Sequence, residues 1–227
     1  MNYEQVIIAG KGKLATELFN SLQTPELLKK SSWKNNEMDN VCSIIIHAGS
    51  GRELPEIVSF CKTTNSTLIE LSTDSVLEGE QQSFPIVMCP NTNILMLKFM
   101  NMIAKSGHLF SGCEVEIMES HQSSKKSTPG TAVAIAQSLS VNPNLIKSVR
   151  DPEDQKNLLN IEEKHLHRHA FHSIRIVDGL CQIELESKVF GESPYASGVS
   201  KIINATFSNA LENRTYSINE YIENGWV

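Results

Sequence analysis

The sequence predicts an α/β fold in which a parallel-sheet domain is joined to an α+β domain with a mixed sheet, and three observations predict it. Over the first hundred residues or so, short apolar runs alternate with stretches of helical period, the pattern of βαβ units. A glycine-rich turn, Gly10-Lys11-Gly12-Lys13-Leu14-Ala15, joins the first run to the first helical stretch. From Glu114 onward polar and apolar residues alternate singly, as half-solvated antiparallel strands require. The first part is therefore a Rossmann-like parallel sheet and the second a domain of different construction.

Gln5–Ala9 is an apolar run rich in β-branched residues and is expected as a strand, followed by a helix over Leu14–Leu22. Ser43–His47, Thr67–Leu71 and Pro85–Cys89 are expected as further strands, with a helix over Leu54–Thr63. Between Asn93 and Lys105 the residues Ile94, Leu95, Leu97, Met100, Met102 and Ile103 cover much of a helix surface, so that helix is expected between layers. Strands are then expected over Glu114–Glu119, His165–Ile176 and Gln182–Val189. Among them lie a helix opening at Thr128-Pro129-Gly130 and a charged helical stretch over Pro152–Lys164, and helices over Tyr195–Leu211 and Ser217–Glu223 close the chain. Asn35–Asn40 is the most loop-like segment of the first half.

A length of 227 residues allows one large α/β domain or two small ones. Apolar residues at 40% and charged residues at 20% exclude disorder as the main state. A net charge of -6 argues against non-specific binding to nucleic acid or to an anionic membrane. The apolar runs fall far short of the roughly 20 residues a membrane helix needs. Met-Asn-Tyr-Glu-Gln carries no basic region or cleavage site, so a cytoplasmic location is expected. Cys42, Cys61, Cys89, Cys113 and Cys181 are odd in number and widely spaced, and are expected as buried thiols rather than disulfides or zinc ligands. The alternating His165, His167 and His169 are read as a solvated or interface row on a strand, not a metal site.

The turn at Gly10–Ala15 fits the G-x-G-x-x-G/A fingerprint, with a plain glycine-rich turn as the simpler alternative. Gly10 permits the tight turn, Gly12 lets the backbone approach a pyrophosphate, and Ala15 lets helix and strand pack closely. Lys11, Lys13 and Leu14 complete this loop, whose helix N–H groups face the phosphates. About 20 residues on, an NAD-preferring fold carries an acid that binds the ribose hydroxyls. Here the sequence reads Lys29-Lys30-Ser31-Ser32-Trp33-Lys34, which suits a 2′-phosphate and favours NADPH over NADH, unless these lysines are only a solvated basic helix end.

The second signal is Glu119-Ser120-His121-Gln122-Ser123-Ser124-Lys125-Lys126-Ser127-Thr128-Pro129-Gly130-Thr131-Ala132, between a strand and a helix. Ser127 or Thr128 is expected to cap that helix, with Pro129 at its first position. Gly130 and Thr131 then present backbone N–H groups, so the helix start is an anion site. His121 and the two lysines add a proton donor and positive charge beside a pocket suited to a carboxylate. A capped helix after a polar loop is the structural alternative.

Together these segments resemble the dihydrodipicolinate (4-hydroxy-tetrahydrodipicolinate) reductase family over almost the whole chain. The Gly10–Ala15 turn is similar to a short form of that family's G-x-G-x-M-G loop, and Ile45–Ser50 to its D-F-T strand end. Leu71-Ser72-Thr73 sits where the family has G-T-T, and Cys89-Pro90-Asn91-Thr92-Asn93 resembles S-P-N-F-S. Glu119–Ala132 resembles E-x-H-H-x-x-K-x-D-x-P-S-G-T-A, and Ala170-Phe171-His172-Ser173-Ile174-Arg175 resembles G-F-H-S-V-R. Tyr195-Ala196-Ser197-Gly198 is similar to F-A-x-G.

The resemblance implies a discontinuous cofactor domain over 1–93 and 208–227 and a substrate and oligomerisation domain over 94–207. It implies hydride transfer from NADPH or NADH to a cyclic imine dicarboxylate, as a step of lysine and diaminopimelate biosynthesis, by a tetramer or dimer. His121 would give the proton and Lys125 would hold and polarise the substrate. Gln122, Lys126, Gly130 and Thr131 would line the substrate site. Gly10, Lys11, Gly12, Lys13, Leu14, Leu71, Ser72, Thr73, Cys89, Asn91 and Thr92 would line the cofactor site. His47, at a strand end near the nicotinamide, is either a cofactor neighbour or structural. The chain departs from the family pattern at Gln122, at Ser127 and in lacking a serine between Pro129 and Gly130, which makes Lys126 a rival to Lys125. Three functions are open: this reductase, a same-fold imine reductase with another substrate, and a non-catalytic nucleotide-binding relative.

Overall fold

The computed structural model describes residues 2–34, 39–80, 82–190 and 195–227, so residues 35–38 of the loop-like Asn35–Asn40 segment lie outside the described residues. The chain runs β1 (Gln5–Ala9), α1 (Lys13–Ser21), β2 (Lys29–Ser32), β3 (Ser43–His47), α2 (Leu54–Thr64), β4 (Thr67–Glu70), β5 (Ile86–Met88) and α3 (Ile94–Ser106). It continues through β6 (Glu114–His121), α4 (Gly130–Ser138), β7 (Lys147–Val149), α5 (Pro152–Asn157), β8 (His169–Asp178), β9 (Cys181–Phe190), α6 (Tyr195–Ser208), β10 (Thr215–Ser217) and α7 (Ile218–Glu223).

Six strands form a wholly parallel sheet in the order β10-β5-β4-β3-β1-β2. The other four form a mixed sheet in the order β7-β6-β8-β9, in which β7 runs parallel to β6 and the remaining pairs are antiparallel. The predicted fold class is therefore present. Two compact units result, Met1–Leu97 with Pro194–Val227, and Lys98–Ser193. The division falls inside α3 and just before α6, not at 93/94 and 207/208. Helix α6, expected in the second domain, buries Ala196, Val199, Ile202, Ile203 and Ala205 in the core of the first unit.

In the first unit β1, β3, β4 and β5 are buried along their whole length, as central strands covered on both faces must be. The strand pleat divides their side chains: Val6, Ile8, Ile44 and Ile46 enter the core shared with α1, α6 and α7, while Ile7, Ala9 and Ile45 enter the core shared with α2. Gly198 lets α6 sit against the carbonyl of Thr92, which a Cβ at that position would strike. The second unit buries Leu159, Ile161 and Phe171 together.

Several expectations are corrected. The segment Lys29–Ser32 is an edge strand, β2, in register with Gln5–Ile8, not a basic helix end. Strands β7 and β10 are short additions that the apolar pattern did not announce. The charged stretch from Pro152 is helical only to Asn157, because Asn160 takes a left-handed conformation at φ 53°. His165 closes a 3-10 turn and stacks on Phe190 at 4.8 Å, so β8 begins only at His169 and the histidines form no row on a strand. All five cysteines are free, but Cys61 and Cys89 alone are buried; Cys42 and Cys113 are half-buried and Cys181 is exposed. Among the described residues no helix is long and apolar enough to cross a membrane, and no group of three or more His, Cys, Asp or Glu side chains could hold a metal ion.

Candidate functional site

The first unit carries a cleft of about 690 Å³ at the carboxyl ends of its strands. Strands β2 and β3 lie on opposite sides of β1, so the chain order reverses there, and open parallel sheets bind ligands at such a switch point. The cleft is lined by Leu14 after β1, by Ala48–Arg52 after β3, and by Leu71–Val76 after β4. Leu71, Ser72 and Thr73 thus lie on it, as does the end of the glycine turn.

Gly10 has φ 133°, and a Cβ there would strike the carbonyl of Ala48 and lie 3.2 Å from that of Ala15. A Cβ on Gly12 would meet nothing within 4 Å, so its side faces open space. Gly12 is the N-cap of α1, no side chain caps it, and no acidic residue stands in the first turn. Lys11 and Lys13 are exposed beside these N–H groups. A glycine cradle, an uncapped helix start and two ammonium groups fit the pyrophosphate of a dinucleotide.

Beneath the cleft, His47 and Glu70 are opposite each other on β3 and β4, and neither side chain is exposed. Glu70 also accepts the backbone N–H of Ser72 at 2.8 Å, and the Ser72 hydroxyl donates to the carbonyl of Gly49 at 3.1 Å. His47 therefore does not line the cleft; with Glu70 it ties two of the lining loops to the sheet. Gly49 leaves room for this pair, since a Cβ would meet His47 Nε2 at 2.9 Å. Cys89, Asn91 and Thr92 form the turn from β5 into α3 and are not among the cleft's lining residues. The Cys89 thiol donates to the carbonyl of Asn91, and burial pushes it up to about 12, so it is an inert structural thiol.

The second unit gathers a polar cluster at the end of β6. Glu119 and His121 share a face of that strand, and His121 Nδ1 lies 2.8 Å from Glu119 Oε2. Arg150, just after β7, donates from Nη2 to Glu119 Oε1 at 2.6 Å and from Nε to the carbonyl of Lys125 at 2.8 Å. Gln155 on α5 donates to the carbonyl of His121 at 2.8 Å. The His172 ring stands edge-on to that of His121 at 5.6 Å. Burial alone would raise the fully buried Glu119 carboxyl; hydrogen bonds from His121, Arg150 and Ser148 and the Arg150 charge outweigh it and hold the group down at about 2. Burial first, and then the charge of His121, depress His172 to about 4.

Downstream, Gln122 accepts the N–H of Lys125 in a turn, Lys125 is half-buried and Lys126 is exposed. Helix α4 differs from expectation: Pro129 is its N-cap, Gly130 its first residue, and neither Ser127 nor Thr128 caps it. The first-turn N–H groups at Gly130 and Thr131 consequently receive no side-chain cap from the N-cap residue, and no acidic residue shares that turn. Glu119, Arg150, Gln155 and His172 received no role from the sequence. Glu119 and His172 carried a signal in standing inside segments that resemble family motifs; the strand was expected to end at Glu119, whereas β6 runs on to His121 and so puts the Glu119 and His121 side chains on one face.

A family model described as the C-terminus of dihydrodipicolinate reductase matches residues 93–222. The chain is 41% identical over 96 residues to the probable 4-hydroxy-tetrahydrodipicolinate reductase 1, chloroplastic, of Oryza sativa subsp. japonica, a match covering 39% of this chain and 28% of the relative. It is 38% identical over 96 residues to 4-hydroxy-tetrahydrodipicolinate reductase 1, chloroplastic, of Arabidopsis thaliana, with the same coverage. The match thus spans less than a third of the length of these curated relatives. Among solved structures, the dipicolinate-bound dihydrodipicolinate reductase from Paenisporosarcina sp. TG-14 aligns over 95% of this chain and 98% of its own with a TM-score of 0.64. At 18% identity that likeness concerns the fold.

Proposed function

The chain belongs to the dihydrodipicolinate reductase family, and from that premise we propose that it is an NAD(P)H-dependent reductase of 4-hydroxy-tetrahydrodipicolinate, acting on a cyclic imine dicarboxylate in lysine and diaminopimelate biosynthesis. The observation that carries this reading is the second unit's cluster, in which an imidazole held by a buried carboxylate stands near a half-buried lysine and an uncapped helix start in sequence.

A bound nicotinamide supplies the hydride. The first unit's residues hold the dinucleotide: Gly10 and Gly12 admit the pyrophosphate, the α1 N–H groups and Lys11 and Lys13 neutralise it, and Leu71, Ser72 and Thr73 form a wall of the cleft. Lys29, Lys30 and Lys34 lie on β2 or just after it, and this group of ammonium charges supports a 2′-phosphate and NADPH as the preferred form.

In the second unit, His121 donates the proton that accompanies hydride addition, from Nε2, since Nδ1 faces Glu119. Lys125 pairs with a substrate carboxylate, and the N–H groups at Gly130 and Thr131 bind one as well. Two carboxylates on the substrate call for two fixed positive partners, which this arrangement supplies. The enzyme works as a homo-oligomer; the exposed edge strand β9, with Ile183 48% and Phe190 37% exposed, supports this.

The test is a thermal-shift titration with NADPH, NADH and pyridine-2,6-dicarboxylate, singly and in pairs, followed by turnover of the cyclic substrate. Stabilisation by NADPH above NADH, a further rise with the dicarboxylate only when cofactor is present, and substrate-dependent NADPH oxidation are expected. Cofactor binding without reduction or binding of any dicarboxylate would overturn the reductase reading.

A further inference from the structure

Glu119 is wholly buried, and partners on both its carboxylate oxygens belong to the proposed reaction machinery or hold it. Oε2 meets His121 Nδ1 at 2.8 Å, and Oε1 meets Arg150 Nη2 at 2.6 Å. The same guanidinium reaches the Lys125 carbonyl through Nε and that of Val149 through Nη1 at 3.0 Å. A buried ion pair contributes little net stability compared with apolar residues of the same volume, so stability alone is a weak reason for this one.

We infer that Glu119 and Arg150 are positioning residues, which fix the tautomer of His121, keep a carboxylate against its Nδ1, and hold the Lys125 backbone to the same anchor. The inference rests on His121 being the proton donor of the proposed reductase. A carboxylate at Nδ1 requires the proton there in the neutral ring, which leaves Nε2 as the atom that takes up and delivers the transferred proton. Because Glu119 is held near 2, it stays anionic across the working pH range and keeps a negative charge 2.8 Å from Nδ1.

The other groups facing His121 do not oppose this. From β8, His172 is neutral above its depressed value of about 4, and His169 is engaged with the Ser120 hydroxyl at 2.9 Å. From α5, the uncharged Gln155 fixes the His121 carbonyl. After β7, the positive charge of Arg150 is paired with Glu119.

The experiment uses ¹⁵N-histidine NMR on the apo chain, with steady-state kinetics beside it. Wild type should show His121 protonated at Nδ1 in the neutral form. In Glu119→Gln the amide donates to Nδ1, so the signals should invert to the Nε2–H tautomer, kcat should fall about 10²- to 10⁴-fold with KM changed little, and the basic limb of the pH–rate profile should move to lower pH. Arg150→Lys keeps the charge but loses the fork, and should move the limb in the same direction by less. A folded Glu119→Gln protein with an unchanged tautomer and an unchanged basic limb overturns the inference. If Glu119→Gln does not fold, an unmoved limb in Arg150→Lys does so. Tautomer inversion in a chain that reduces no dicarboxylate imine upholds the positioning role and rejects the reductase instead.

Discussion

His47 and Glu70 meet between adjacent parallel strands, with Nδ1 2.8 Å from one carboxylate oxygen and 2.9 Å from the other, and both side chains fully buried. Glu70 also holds the Ser72 N–H, so one buried carboxylate serves both the sheet and a wall of the cleft. Glu70→Ala leaves the imidazole without its partner and is expected to lower stability by about 3 to 5 kcal/mol, read from urea unfolding. The double variant His47→Leu/Glu70→Leu should recover much of that loss. Equal losses in the single and double variants would show that the pair is not coupled.

The two glycines of the nucleotide turn should separate stability from binding. Gly12→Ala places a methyl group in open space with an ordinary backbone conformation, so the melting temperature should hold while NADPH affinity falls at least about tenfold. Gly10→Ala combines a φ of 133° with a clash against the Ala48 carbonyl, and should cost about 2 kcal/mol or more before any ligand is added. Thermal melts and calorimetric titration of both variants check this.

His172 gives the second unit an acid-sensitive stability. Its ordinary value of 6.5 is depressed to about 4 on folding, so between these values the unfolded chain binds the extra proton. Stability is full above about pH 6.5, falls as the pH drops through this range, and levels off below about 4, a change of about 3 kcal/mol. His169, also depressed by burial, acts in the same direction. Guanidinium unfolding from pH 7 to 4 should show the slope, and His172→Phe should flatten most of it.

His121→Ala should lower kcat about 10²- to 10⁴-fold while leaving NADPH affinity unchanged, because the imidazole belongs to the second unit and not to the cleft. Lys125→Ala should act mainly on KM for the dicarboxylate, and Lys126→Ala should do little, since Lys126 is exposed. Steady-state kinetics of the three variants distinguish the roles.

The parts of the fold legible in the sequence are those whose energy is local or carried by continuous apolar burial. Strands β1, β3 and β4 read clearly because both faces are covered, and the Gly10 turn because its backbone geometry excludes other residues. Strand β2 was missed because Lys29-Lys30-Ser31-Ser32 has no apolar face and is held by pairing with β1 at the sheet edge. The three-residue strands β7 and β10 are likewise made by their neighbours. The alternation from His165 misled because a 3-10 turn and a stacked ring, not a strand, account for it. At the site, His121 and Lys125 stood out within one short segment. Arg150 did not, since its partner Glu119 is reached only through the β6–β7 pairing.

The place of β10 beside β5 bears on biosynthesis. Residues 215–217 supply the outermost strand of a sheet whose first strand is Gln5–Ala9, and Tyr216, Tyr221 and Trp226 pack on one another behind it. During translation the continuous second unit can be complete while the parallel sheet still waits for these residues to leave the ribosome. A nascent chain stalled short of residue 215 should therefore bind chaperones through its unfinished edge.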